Sequence, residues 1–224
     1  MIKRPYDDLV DRNSIDMLWP RGDTFTWNII VNDFVNTISP NIALLQKLGI
    51  IRNRGVVQAG GHCGLYPFLF TEFFDMVFTF EPSSMGFHCL VNNCQGENVI
   101  KMNVALGKNP GRVKSFSIDP SNTGMNRVKD SVDEKYYVPM IALDSLALSD
   151  IGLIEFDLEG YEYDALQGAR ETIRRNKPVI IVENATDDIE QFLSEFGYVV
   201  WKKINRLDSL FVLESDMEKL NDSQ

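Results

Sequence analysis

Apolar and polar positions fall into blocks along this chain, and the period of the blocks changes from one stretch to the next. Val56-Val57-Gln58-Ala59 is a short, nearly continuous apolar run that breaks at Gly60-Gly61-His62-Cys63-Gly64, as a buried strand entering a tight turn does. A helical pattern from Leu65 to Phe74 follows, and a second apolar run, Met76 to Phe80, stops at Glu81-Pro82. Ser83 to Cys94 reads as a helix capped by Ser83 or Ser84, and Val99 to Leu106 as a third strand closed by Gly107. The texture then shifts. Arg112 to Ile118 alternates like an exposed strand, Asp119 to Gly124 is rich in turn residues, and Tyr136 to Leu143 is extended again. Regular alternation resumes with a strand from Ile151 into Asp157-Leu158-Glu159-Gly160, a helix from Tyr161 to Arg174, and an apolar strand from Pro178 to Glu183. A helix from Ile189 to Phe196 stops at Gly197, and two strands, Tyr198 to Ile204 and Ser209 to Leu213, are spaced as an antiparallel hairpin.

Apolar strands alternating with helices predict a three-layer α/β fold, a mostly parallel sheet covered on both faces, with a C-terminal antiparallel hairpin. The expected division is a leader over residues 1–50 and a ligand-binding domain over 51–224, the latter interrupted by an antiparallel insert at about 108–142. In the leader, Phe25 to Val31 suggests a short strand. Ser39 and Pro40 suggest the cap and first position of a helix with Leu44, Leu45 and Leu48 as its stripe. This leader is expected to pack on the core and cover the ligand cleft. Ligands bind such sheets at the carboxyl ends of the strands, and those ends carry Gly60 to Gly64, Glu81, Asp157 to Glu159 and Glu183. Glycines at 60, 61 and 64 let a ligand approach main-chain N–H groups, and Glu81, about twenty residues later, suits a ribose diol. A nucleoside-binding β-α-β unit results.

Composition narrows the partners. A net charge of −10 over 224 residues argues against broad contact with nucleic acid or an anionic membrane. Three cysteines, no apolar signal core at the N-terminus and no bilayer-length apolar run make a reducing, cytoplasmic setting the expectation. Two histidines cannot make a zinc trio. Cys63 reads as small packing, Glu155 as one half of a structural salt bridge, and Arg21-Gly22-Asp23 as a chance match to an adhesion tripeptide.

Val57 to Gly64, Phe80-Glu81-Pro82 and Asn103-Val104-Ala105-Leu106-Gly107 resemble successive motifs of the FkbM-type methyltransferases. So do Leu143-Asp144-Ser145-Leu146, Ile154 to Glu162 and Lys177-Pro178 through Glu183, in the family's order over roughly residues 50 to 213. The resemblance implies a class I methyltransferase sheet of seven strands, the last antiparallel, S-adenosylmethionine as cofactor, and methylation of a hydroxyl. It implies that Gly60, Gly61 and Gly64 lie against the methionine moiety, with Gln58, His62, Cys63 and Pro82 in the same walls. Glu81 is implied at the ribose, Asn103, Val104 and Ala105 near the adenine, and Asp157, Glu159 and Glu162 below the methyl group. The chain departs from the family at Gln58, usually an acid, and at His62, usually Asn. Asp157, Glu159 and His62 are the candidate catalytic residues, since an alcohol acceptor must lose a proton. The three acids 157, 159 and 162 would bind the acceptor, take its proton, or hold a hard divalent cation; no metal is assigned. A small-molecule or carbohydrate-like acceptor fits the acidic chain. A non-catalytic binding protein and a nicotinamide-dependent oxidoreductase stand as the alternatives.

Overall fold

The computed structural model describes residues 9–23, 31–119, 121–131 and 137–223, so most of the strand expected at Phe25 to Val31, and Tyr136, lie outside the described residues. A hairpin of β1 (Val10–Arg12) and β2 (Leu18–Pro20) comes first, then a helical stretch ending in α1 (Ser39–Lys47). β3 (Gly55–Ala59), α2 (Leu65–Phe70), β4 (Met76–Phe80), α3 (Ser84–Asn93) and β5 (Val99–Met102) alternate. A small sheet takes β6 (Ala105–Leu106), β7 (Gly111–Phe116), β8 (Arg127–Asp130) and β9 (Val138–Ile141). Back in the main body come β10 (Ile151–Phe156), α4 (Glu162–Gln167), α5 (Arg170–Asn176), β11 (Val179–Glu183) and α6 (Asp187–Ser194). β12 (Tyr198–Lys203), β13 (Asp208–Leu213) and α7 (Met217–Asn221) follow.

The main sheet has seven strands in the order β12-β13-β11-β10-β3-β4-β5. β3, β4, β5, β10 and β11 pair in parallel, and β13 runs antiparallel to both β11 and β12. The terminal hairpin is therefore folded into the sheet, its second strand lodged between β11 and its first. Alternate residues feed two apolar cores. Val57, Ile154 and Ile180 face one with Leu166 and Phe192, whereas Val56, Leu153 and Ile181 face the other. That second core is filled from the leader: Phe34, Ile38, Ile42 and Leu45 are all buried in it.

Three expected elements come out differently. The third strand breaks after Met102, so that β5 joins the main sheet while β6 pairs parallel to β9 in the small one. The helix from Tyr161 divides at Gly168, where a Cβ would stand 2.1 Å from the Gly107 carbonyl oxygen. The second half, α5, is capped from outside by Asp144, which accepts from the amides of Glu171 and Thr172 at 2.9 and 2.8 Å. Ser39 is no cap. The helix starts earlier, at residues 31–33, and passes through a π-turn, Phe34–Ile38, before α1. A proline inside a helix removes one donor and crowds the preceding turn, and the wider π-turn ends two residues before Pro40.

Candidate functional site

The turn after β3 is fixed by a close approach. Gly60 has a φ of 91°, and a Cβ there would lie 1.9 Å from the Asp157 carbonyl oxygen. The amides of Gly60 and Gly61 donate to the Phe80 carbonyl at 3.1 and 2.9 Å, so they brace the turn rather than face a ligand. What the glycines provide is bare backbone at the rim. Glu81, buried at the end of β4, accepts from the His62 amide at 2.7 Å and the Ser83 amide at 2.6 Å. Burial raises its carboxyl to about 7 against the pull of those two amides. Asn103 donates to the Glu81 carbonyl at 2.7 Å, which holds the break between β5 and β6 in place and turns Val104 and Ala105 to the cleft.

That cleft, about 890 Å³, lies along the carboxyl ends of the strands. Gly60, Gly61, His62, Glu81, Pro82, Val104, Ala105, Asp157 and Glu159 line it; Gln58, Cys63, Gly64 and Asn103 do not. Glu162 is also off the cleft: its carboxylate accepts from the Leu158 and Gly160 amides at 2.8 and 3.1 Å and shapes the loop that carries Glu159. Glu159 is held there at a φ of 53°. Cys63 is packed with Val10, Trp19 and Cys89.

Gln58 occupies one place in a polar row. Thr79, Gln58, Glu155, Glu183 and Asp208 sit on adjacent strands with the parity of the α1-side core, and pairing aligns Gln58 with Thr79 and with Glu155, and Glu183 with Asp208. Gln58 accepts from the Thr79 hydroxyl at 2.7 Å and donates to the Gly60 carbonyl at 3.1 Å, and its amide beside Glu155 pulls against the burial that raises that carboxyl. An amide is a better neighbour than an acid beside so many carboxylates. Glu155, Asp157, Glu159, Glu183 and Asp208 all line the cleft. The salt bridge expected for Glu155 is absent: among the described residues no lysine or arginine pairs with Glu155, Asp157, Glu183 or Asp208, and Glu159 has Arg127 at 3.9 Å. Burial, then mutual repulsion, lifts Glu155 and Asp157 well above the usual carboxylate range. Burial raises Glu183 to about 7 and Asp208 to about 6. Asp157 and Glu183 face each other across the rim, and the nearby Glu183 helps to keep the Asp157 carboxyl high.

His62 is tied into a chain that joins three segments. Asp23, from the leader, accepts from the Thr123 amide at 2.8 Å and its hydroxyl at 2.5 Å. With its proton committed to Asp23, the Thr123 oxygen accepts from His62 Nε2 at 2.7 Å. Burial depresses the imidazole to about 4, with Asp23 pulling the other way. Trp19 packs edge-on against the same ring, 5.0 Å between centroids. The Asp of Arg-Gly-Asp is thus a buried clamp, and Arg21 pairs with Asp11 at 2.8 Å. A second cavity of about 730 Å³ adjoins the first and shares His62, Pro82, Ser115, Thr123 and Asn126 with it.

Sequence reading missed Asp208, Asp33, Tyr66, Asn205 and Thr123, all on the cleft. Asn205 donates to Asp33 at 2.8 Å and to Asp208 at 2.6 Å, and in sequence these look like ordinary turn and leader residues. For Asp208 and Asn205 the missing information is that β11 and β13 meet at this rim.

Comparison with known proteins gives this cleft a context. No curated protein matches the sequence. Among solved structures the chain is similar to methyltransferase FkbM from Methylobacillus flagellatus KT, with 17% identity and a TM-score of 0.48, over 71% of this chain. The match spans 43% of that protein's length. It is also similar to magnesium protoporphyrin IX methyltransferase from Synechocystis PCC 6803 with bound SAM, with 12% identity and a TM-score of 0.44, over 84% of this chain and 82% of that one. No helix of the described residues is long and apolar enough to cross a membrane. The methyltransferase FkbM domain matches residues 62–200, well over half of the sequence, and the chain belongs to that family.

Proposed function

We propose that this protein is an S-adenosylmethionine-dependent methyltransferase that methylates a hydroxyl on a small-molecule or carbohydrate-like acceptor. The observation that carries the reading is the single cleft in which Gly60, Gly61, Glu81 and Asp157 converge at the carboxyl ends of β3, β4 and β10. The cofactor fits the donor set. A turn closed to any Cβ at Gly60 admits its methionine portion, the Glu81 carboxylate suits its ribose hydroxyls, and Val104 and Ala105 offer an apolar wall for its base. Bound there, S-adenosylmethionine supplies a methyl group on a sulfonium.

This chain's residues then have three tasks. Glu81 and the turn fix the direction of the methyl group. The walls exclude water, with Trp19 and Thr123 holding His62 against the turn. The acceptor hydroxyl gives up its proton to a rim carboxylate, and Glu183, with its carboxyl at about 7, matches neutral pH as that acceptor. His62 acts as a clamp in this scheme, because its Nε2 proton is committed to Thr123 and its basicity is low.

Calorimetric titration with S-adenosylmethionine and S-adenosylhomocysteine, with NAD as control, tests the cofactor. Binding of the first two and none of NAD is expected; NAD alone would sink the reading. Glu81→Ala should weaken S-adenosylmethionine binding by roughly 1.5–3 kcal/mol, the loss expected for hydrogen bonds to a charged group. Unchanged affinity in a folded variant would remove the ribose assignment.

A further inference from the structure

Asp157, Glu159 and Glu183 each present an oxygen to one point of the cleft, and the three oxygens lie within 4.8 Å of one another. Oxygens bound to one ion lie no further apart than twice the bond length, about 5 Å for ligands at roughly 2.4–2.6 Å, and the three meet that limit. A second observation points to the same place. Glu155 is 2% exposed, lines this cleft, and its Oε2 has no hydrogen-bond partner; the Glu183 Oε2 has none either. A buried carboxylate oxygen with no donor is expensive, and the protein supplies no cationic side chain among the described residues to Glu155, Asp157 or Glu183. Something positive belongs here.

We propose that Asp157, Glu159 and Glu183 form a divalent-cation site, with Glu155 behind them as an outer carboxylate. The donors are all carboxylate oxygens, which selects hard ions such as Mg²⁺, Mn²⁺ or Ca²⁺ over Zn²⁺ or Cu²⁺. Three protein ligands leave positions open for water or an acceptor oxygen. The loop that carries Glu159 is held in shape by the Glu162 carboxylate on the Leu158 and Gly160 amides, so the ligands are set before the ion arrives. Binding of the ion stands apart from methyl transfer. Its role in the reaction rests on the function proposed above: a hydroxyl on the ion becomes more acidic, and its proton leaves to a carboxylate oxygen that the ion does not use.

The test is a titration of the full chain with Mn²⁺, following the loss of the free-ion signal by electron paramagnetic resonance. One bound ion per chain is expected. Asp157→Asn and Glu183→Gln should each weaken it at least tenfold, and Glu190→Gln, on the exposed face of α6, should not change it. No binding by the wild-type chain up to about 1 mM, the weak end of carboxylate sites, overturns the proposal. So does equal binding by wild type and both site variants. S-adenosylmethionine is titrated on the same sample: Mn²⁺ bound without it sinks the methyltransferase reading and keeps the ion site, and the reverse result does the opposite.

Discussion

Burial of Glu183 makes the rim sensitive to pH. Glu183 moves from an ordinary 4.5 to about 7 on folding, chiefly through burial. A carboxyl raised on folding stabilises the native state below its unfolded value, and that contribution is lost as pH climbs to the folded value. The window is therefore about pH 4.5 to 7. Glu183→Gln has no proton to lose, so its melting temperature should gain on wild type as pH rises through this window. A difference that stays constant with pH, measured by scanning calorimetry, would show that Glu183 does not titrate as described. Of the rim acids, Asp157, Glu159 and Glu183 were legible because each ends an apolar run, where a strand must emerge at the cleft. Glu155 was not, since its partner depends on which strands flank β10. Asp208 was hidden for a similar reason: a residue opening a hairpin strand looks solvated until β13 is known to pair with β11.

At the scale of elements, two breaks position the site, and neither showed in the hydrophobic pattern. Asn103 divides the expected third strand, and Gly168 divides the expected helix by packing its backbone on the small sheet's entry strand. Both depend on contacts between segments far apart in sequence, and periodicity reports only neighbours. Asp144 belongs to the same class. It caps α5 across 27 and 28 residues, through the Glu171 and Thr172 amides and the Thr172 hydroxyl. Asp144→Ala should cost about 0.5–2 kcal/mol, as other lost caps do, with the melt otherwise cooperative. Denaturant unfolding would check it. No loss would mean that α5 is held by its packing alone.

For the whole molecule, the mostly parallel sheet and the terminal antiparallel hairpin follow the pattern of apolar runs and turn residues, and the count of seven strands with the last antiparallel follows the family resemblance. The leader packs on the core through more than the stripe read at Leu44, Leu45 and Leu48. Phe34, Ile38, Ile42 and Leu45 are buried against the sheet, and each such side chain contributes about 1.5–3 kcal/mol. Four of them rival the roughly 5–15 kcal/mol by which a typical domain is stable. A chain beginning at residue 51 should therefore show no cooperative melt; a sharp transition in calorimetry would show that the leader is dispensable. The placement of β13 between β11 and β12 has a further consequence, in the timing of synthesis. β12 is made before the strand that joins it to the sheet, so a growing chain carries β12 without a place and β11 with one open edge. That edge is Val179-Ile180-Ile181-Val182, an apolar template for wrong partners until β13 arrives. The crowd of like charges at Glu183 and Asp208 forms only at that last step, after the rest of the sheet is in place to hold them together.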